Sequence, residues 1–457
     1  MFVRRGFWTA TVASIAILGV VGGASAETLK AAMASAYTSN PTLNGARAQL
    51  RAIDENVPQA LAGYRPTVAF SADVSALTAR STFAPSWSKT RYPRGFSFTV
   101  QQPIFRGFRT KNSVKMAQTA VLAAREQLRG VEQDVLFSSV QAFMNVVLAQ
   151  VVLNLRAQNI TFLTEQVRAA QDRLTVGEGT RTDLAQAQAS LAAGQSAYAA
   201  AVADLNQSIA FYIQVVGHRP ENLSAVNGFE KLIPKSLEAG LALASASHPD
   251  ILAASYNVDV AAYNVKVAEG ALLPTVGLQG SYTHSDDQTA PGLWSDQAAV
   301  TAQLTVPLYS AGQPSAEVRQ LKETLGQQRI ALDSARAAVR QGFVSAWAAY
   351  EATNAQVTAA ASQVAADQLA LAGVIEERKV GQRTTLDVLN AQQNLLDARV
   401  SQATAQHDRV IAAYQLLAAA GKLDAATLGL AVKIYDPTDH YDLVKDKWFG
   451  LRTPDGR

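Results

Sequence analysis

Two short stretches of this chain hold the side chains whose types and spacing could do chemistry. The first reads Val176-Gly177-Glu178-Gly179-Thr180-Arg181-Thr182-Asp183, the second Val380-Gly381-Gln382-Arg383-Thr384-Thr385-Leu386-Asp387. Gly177 and Gly381 can take the left-handed conformation that ends a helix. Thr180 with Asp183, and Thr384 with Asp387, have the spacing that caps the start of the next one. Capping is a sufficient reason for both aspartates, and it is compatible with a second, electrostatic role. Catalysis finds no support. His218, His248, His284, His407 and His440 show no metal-ligand spacing and read as incidental, cysteine is absent, and no glycine-rich phosphate loop or nucleophile motif follows a strand. No metal, cofactor or enzymatic activity is expected.

The elements that must position these turns are very long helices. Pro103 is followed by no proline until Pro220, and Pro314 by none until Pro437. Phe108 to Thr175 and Gly312 to Lys379 are rich in alanine and glutamine, and each would extend on the order of 100 Å at 1.5 Å per residue. Apolar positions recur at three- and four-residue steps, as in Leu148, Val151, Val152 and Leu155, which is the pattern of helix packed on helix. Val135 to Leu155 has no charge and imitates a membrane helix. A polar residue on nearly every turn, and the presence of Arg340 and Glu351 in the equivalent stretch, make it a buried seam instead.

That equivalence comes from an internal repeat. Asn40-Pro41 matches His248-Pro249, and Arg65-Pro66-Thr67-Val68 matches Leu273-Pro274-Thr275-Val276, both at an offset of 208. Gln102-Pro103-Ile104-Phe105 matches Val306-Pro307-Leu308-Tyr309, and Asp183 matches Asp387, at an offset of 204. The change of offset falls between paired prolines and marks a surface loop of different length. On either side of it the sequence alternates. Val68, Phe70, Ala72 and Val74 oppose Thr67, Ala69, Ser71 and Asp73, and the same holds near residues 95–103, 274–284 and 298–307. Four strands of this length suit an outer-membrane barrel but cannot close one, so several chains would have to share it.

Domain boundaries follow. Residues 1–26 read as a signal peptide, with Arg4 and Arg5, an apolar run, and Ala24-Ser25-Ala26. A first repeat spans 27–226 with strands near 66–76 and 95–103, a second spans 227–421, and a tail spans 422–457. The tail carries Tyr435, Tyr441, Trp448 and Phe449 and is expected either to pack outside the helices or to stay free. Removing Arg4 and Arg5 takes the formal charge from +3 to +1, which gives no pull toward nucleic acid. The loop from Leu77 to Arg94 mixes bases with Phe83, Trp87 and Tyr92, as at a membrane interface. The expected fold is mainly α with a β-barrel part. A periplasmic coiled-coil adaptor or structural protein is the alternative; it would explain the helices but not the paired strands.

The twofold repeat, the strand-flanking Pro103-Ile104-Phe105 and Pro307-Leu308-Tyr309, and the paired Val-Gly…Thr…Asp turns together resemble TolC-type outer-membrane efflux and type I secretion proteins. Within that family, the length and aromatic tail are similar to the alphaproteobacterial BepC type. The resemblance implies a homotrimer in outer-membrane lipid, a twelve-stranded barrel and a tunnel of twelve helices in the periplasm. It also implies two partners, a periplasmic adaptor and an inner-membrane transporter. Through the resemblance, the periplasmic gate falls on Asp183, Arg383 and Asp387. Arg378 stands where the family has a gate tyrosine and would pair with acids; Asn390 replaces a second aspartate. The tip-turn glycines are Gly177 and Gly381.

Overall fold

The computed structural model describes residues 26–78, 90–289 and 292–456. The expected signal segment up to Ser25, and Arg80, Phe83, Trp87 and Lys89 of the first loop, lie outside the described residues. The chain begins with three short helices, α1 (Leu29–Ser39), α2 (Pro41–Asp54) and α3 (Asn56–Leu61). Strand β1 (Thr67–Val74) follows, then a two-residue ribbon of β2 (Leu77–Thr78) and β3 (Thr90–Arg91), and β4 (Arg94–Arg106). Next come the long helix α4 (Arg109–Thr175) and α5 (Arg181–Val216). The plan then recurs as α6 (Leu237–Ser247), α7 (Pro249–Glu269), β5 (Thr275–Asp286), β6 (Trp294–Thr305), α8 (Gln313–Lys379) and α9 (Thr385–Ala419), before a short α10 (Asp439–Val444).

Local chemistry sets these boundaries. The Asn40 side chain accepts from the N–H groups of Thr42 and Leu43 and starts α2 at Pro41; His248 accepts from the N–H of Asp250 and starts α7 at Pro249. The repeat's Asn-Pro and His-Pro landmarks are thus one cap built from two side chains. Burial and the nearby Arg129 hold the His248 imidazole below its usual range, favouring the neutral ring that can accept. Helices α4 and α8 are each 67 residues long, close to 100 Å. Both follow a left-handed pair, Gly107-Phe108 and Ala311-Gly312.

The four main strands form one antiparallel sheet in the order β1-β4-β5-β6. Phe70, Phe98, Tyr282 and Ala298 make one row across it; Ser71, Ser97, Thr283 and Gln297 make the row on the opposite face. One face is apolar and aromatic, the other small and polar. β1 and β5 lie within two residues of the expected bounds, and the other two strands differ more. β4 runs three residues further, to Arg106, because a bulge between Pro103 and Phe105 absorbs the proline. β6 begins at Trp294 instead of near 298; Asp296 falls on its apolar face, where it accepts from Tyr282 at 3.1 Å and pairs with His284 at 2.6 Å across the strands. It stops at Thr305, short of the expected 307.

The core lies where α1, α2, α4, α5 and α9 meet, around Met33, Leu43, Leu136, Phe143, Tyr212 and Ala413. Although α4 contains a window apolar enough for a membrane span, Leu136, Val140, Phe143 and Val146 are fully buried by protein. Leu423, Ala425, Leu428 and Leu430 close the same core, so the tail packs on the bundle. Further along, His440 bonds the fully buried Asp54 at 3.0 Å, and the Arg65 guanidinium donates to the Lys447 carbonyl at 2.8 Å and lies over the Trp448 ring. His440 is therefore a structural residue, and the reading of it as incidental is corrected.

Candidate functional site

The two turns joining α4 to α5 and α8 to α9 carry the predicted site. Gly177 and Gly381 take φ of 81° and 80°, the region a side chain disfavours. Glu178 N–H donates to the Arg173 carbonyl and Gln382 N–H to the Glu377 carbonyl, closing each helix. Both capping boxes are complete. Asp183 accepts from the Thr180 N–H at 3.2 Å and the Thr180 hydroxyl at 2.6 Å, and Asp387 accepts from the Thr384 N–H and hydroxyl, both at 2.8 Å. In each case one carboxylate oxygen takes these bonds. The Thr384 N–H, then the Thr384 hydroxyl, hold the Asp387 carboxyl below the usual carboxylate range.

The basic residues find partners that sequence reasoning did not name. Arg383 Nε donates to Glu377 Oε2 at 2.8 Å, which holds its guanidinium above the ordinary range and staples the turn to the end of α8. Among the described residues no bond joins Asp183 to Arg383 within one chain. Among the described residues of the single chain, Arg378 pairs with no acid. It donates to the Gln166 amide oxygen on α4 at 2.8 Å, while burial, then the charge of Arg173, lowers its pKa. Asn390 lines a groove with Asn159, Leu163 and Gly194 rather than standing with the turn residues. Beside it Gln392 donates to Asn159 at 3.1 Å, tying α9 to α4. Glu377, Gln166 and Arg173 were missed. The repeat held one signal: Glu377 is the counterpart of Arg173, so the two turns share a backbone and differ in charge.

At the opposite end of the long helices, Thr67, Gln101, Gln279, Thr301, Gln303 and Arg106 line a hollow at the base of the sheet's polar face. This surface suits water. No group of three or more histidine, aspartate or glutamate side chains that could hold a metal occurs among the described residues.

A sheet with one apolar and one hydrophilic face, carried on helices of this length, defines a channel-forming protein of the outer membrane. Comparison with known proteins bears this out. Residues 32–217 and 240–422 match the family described as outer membrane efflux protein. The chain is 46% identical to the outer membrane efflux protein BepC of Brucella suis biovar 1 (strain 1330), over 95% of this chain and 94% of that one. It is 29% identical to the alkaline protease secretion protein AprF of Pseudomonas aeruginosa, over 78% of this chain and 75% of AprF. Its fold matches the Campylobacter jejuni CmeC outer membrane channel with a TM-score of 0.77 at 17% identity, covering 91% of this chain and 89% of CmeC. The chain belongs to the outer membrane efflux protein family, the TolC type, and is BepC-like. It is an outer-membrane exit channel whose helical tunnel lies in the periplasm, and the adaptor alternative falls.

Proposed function

We propose that three copies of this chain form the exit duct of a tripartite efflux pump or type I secretion system. In this reading twelve strands enclose a watery bore lined by the polar face, and the paired turns close its periplasmic end. Asp183, Arg383 and Asp387 carry the closing contacts between neighbouring chains, with Arg378 and Asn390 changing the linkage. A periplasmic adaptor docks on the helical tip and an inner-membrane transporter supplies energy. The observation that carries this reading is the open sheet. Its edge strands β1 and β6 are unpaired, and unpaired edges are not tolerated in lipid, so further copies must complete the ring. Three copies give a bore wide enough for water, whereas two would fill it with side chains. Relatives include both an efflux protein and a protease secretion protein, so small toxic compounds and secreted proteins are the two cargo classes. The test is fractionation and sedimentation. The protein is expected in the outer membrane as a heat-sensitive trimer that opens ion-conducting pores in planar bilayers. A water-soluble monomer would overturn the proposal. A deletion strain assayed for toxin sensitivity and for missing secreted proteins then separates the cargo classes.

A further inference from the structure

We propose that the loop spanning residues 445–452, in the C-terminal strap, is a lipid anchor. Trp448, Phe449 and Leu451 enter a phospholipid leaflet at the helical end of the sheet, while Lys445, Lys447 and Arg452 meet its anionic headgroups. The proposal rests on the reading above in which the sheet turns its apolar face toward lipid.

The loop is held in place, yet its apolar side chains stay outside the core. The strap ahead of it is fastened: Val444 is fully buried, and Tyr441 packs against the cluster of Val57, Ala117 and Val121 with the Arg125 guanidinium over its ring. The next residues fold back on themselves. Lys447 N–H donates to the Val444 carbonyl at 2.9 Å, and Lys447 Nζ donates to the Arg452 carbonyl. Gly450 between them takes φ of 109°, which a side chain disfavours. Even so, Trp448, Phe449 and Leu451 are 66%, 90% and 102% exposed. Single exposed apolar residues are ordinary, but three within four positions of one ordered loop make a patch.

The position of the patch identifies what covers it. Arg65, two residues ahead of β1, donates to the Lys447 carbonyl and lies over the Trp448 ring at 4.7 Å. The adjacent Tyr64 carbonyl accepts from the Gln102 side chain of β4 at 3.0 Å. The loop therefore stands where the sheet passes into the helices, which in an outer-membrane channel is the periplasmic edge of the membrane. That level already carries a band of the same chemistry. Tyr64, Ile104 and Phe108 are exposed and share a hollow with Lys111. Aromatic side chains beside bases suit the boundary between hydrocarbon and water, because an amphipathic ring buries its body and keeps its polar edge wet.

Charge agrees with position. From Lys445 to Arg452 three bases accompany one acid, Asp446. Anionic headgroups attract such a segment, and the attraction fades with salt. The anchor also has a mechanical consequence. The strap is tied to α2 through His440 and Asp54, and to the start of β1 through Arg65. A loop seated in the leaflet therefore sets the height of the helical tunnel against the membrane, on the outside of the bundle and independently of the strands.

Nitroxide labelling of the full-length protein in phospholipid nanodiscs tests the anchor, and the absence of cysteine makes each labelling site unique. Phe449→Cys and, separately, Leu451→Cys each leave the other two apolar side chains in place. Val300→Cys on the sheet's apolar face is the lipid reference, and Glu221→Cys, exposed between the repeats, is the water reference. The readout is the ratio of collisions with oxygen, which concentrates in lipid, to collisions with a water-soluble nickel chelate. At 449 and 451 this ratio is expected to shift from the Glu221→Cys value toward the Val300→Cys value. A ratio equal to that at Glu221→Cys overturns the anchor. Shelter from both reagents overturns it too, and assigns the patch to contact with a second copy of the chain. A water-like ratio at Val300→Cys is a separate result, which removes the orientation of the sheet and the anchor with it. In discs containing anionic lipid, Lys445→Gln with Arg452→Gln should speed chymotrypsin cleavage between 448 and 451 by up to about 25-fold, about fivefold for each base. In zwitterionic discs or at high salt the same pair of substitutions should change the rate little. Equal effects in both kinds of disc overturn the role given to the bases.

Discussion

Replacing His440 by alanine would leave the carboxylate of Asp54 buried without its imidazole partner. The Asp54 side chain is fully buried, its Oδ2 bonds His440 Nδ1 at 3.0 Å, and its Oδ1 has no partner. Orphaning a buried polar group costs about 1–3 kcal/mol, and breaking a buried ion pair up to about 5 kcal/mol. The lower figure applies here, because Arg125 remains close enough to favour the carboxylate and because Asp54 can take up a proton. Burial raises the Asp54 pKa, an effect larger than the opposing pull of His440. The sign follows. A carboxyl whose pKa is raised on folding contributes stability below its unfolded pKa, and that contribution is lost as pH rises through the folded value. The cost of His440→Ala should therefore be full near neutrality and shrink as the medium is acidified toward the carboxylate range. Asp54→Asn removes the charge while keeping the volume, so it should cost less than His440→Ala, and the double variant should behave like Asp54→Asn alone.

The assay is release of the C-terminal strap. His440 lies beside Lys445 and Lys447, so trypsin clipping in the assembled protein reports opening of this segment. At pH 7.5, His440→Ala is expected to speed clipping by about 5- to 150-fold, the factor corresponding to the 1–3 kcal/mol above. Additive effects of the two substitutions, or a His440→Ala penalty that grows on acidification, would refute the reasoning.

At the helical tip, Arg383→Gln should raise single-channel conductance in 0.1 M salt. Glu377→Gln, which removes only the bond that holds Arg383 in place, should raise it less, and the double variant should match Arg383→Gln; additive increases would give Glu377 a role separate from Arg383. High salt should diminish the wild-type difference, since the pair is half exposed, at 50% and 45%. Asp387→Asn keeps a capping acceptor and removes a charge from each chain, so cation selectivity should fall while thermal stability holds; an unchanged reversal potential would remove Asp387 from the constriction. Gly107→Ala forces a side chain into φ of 59° and against the Gly270 carbonyl, a loss on the order of 2–4 kcal/mol visible as a lowered melting temperature. The equivalent Ala311→Gly should instead be neutral or stabilising, which calorimetry on the same preparation would show.

The features legible from sequence were those fixed by neighbours in the chain. The capping boxes rest on residues three apart, and the 67-residue helices on the spacing of prolines, so both followed from short-range rules. The strands followed from alternation, except where a distant partner excused a polar residue. Asp296 interrupts the apolar face of β6, and only the cross-strand bond from His284 explains why the strand continues through it. Contacts between segments far apart left no local trace. Arg378 meets Gln166 across 212 residues, and Leu423 and Leu428 enter the core from a tail without periodicity.

The repeat explains why the tip carries charge in this form. Both turns share the same glycine conformation and the same capping box, and both follow a 67-residue helix, so a ring of three chains would present six turns of one backbone plan. If all six also shared one set of charges, neighbouring turns would repel, and the ring could close only by leaving like charges face to face. The sequence breaks that degeneracy at a few positions. Arg173 is matched by Glu377, Leu174 by Arg378, Glu178 by Gln382, and Gly179 by Arg383. In such a ring, neighbouring turns would present different charge patterns on one shared backbone plan. If the turns close the channel as proposed, that difference would let a turn face charges unlike its own without any change of fold, and a partner protein supplying competing charge would then separate the turns while the capping boxes, which lie wholly within each chain, keep every helix intact.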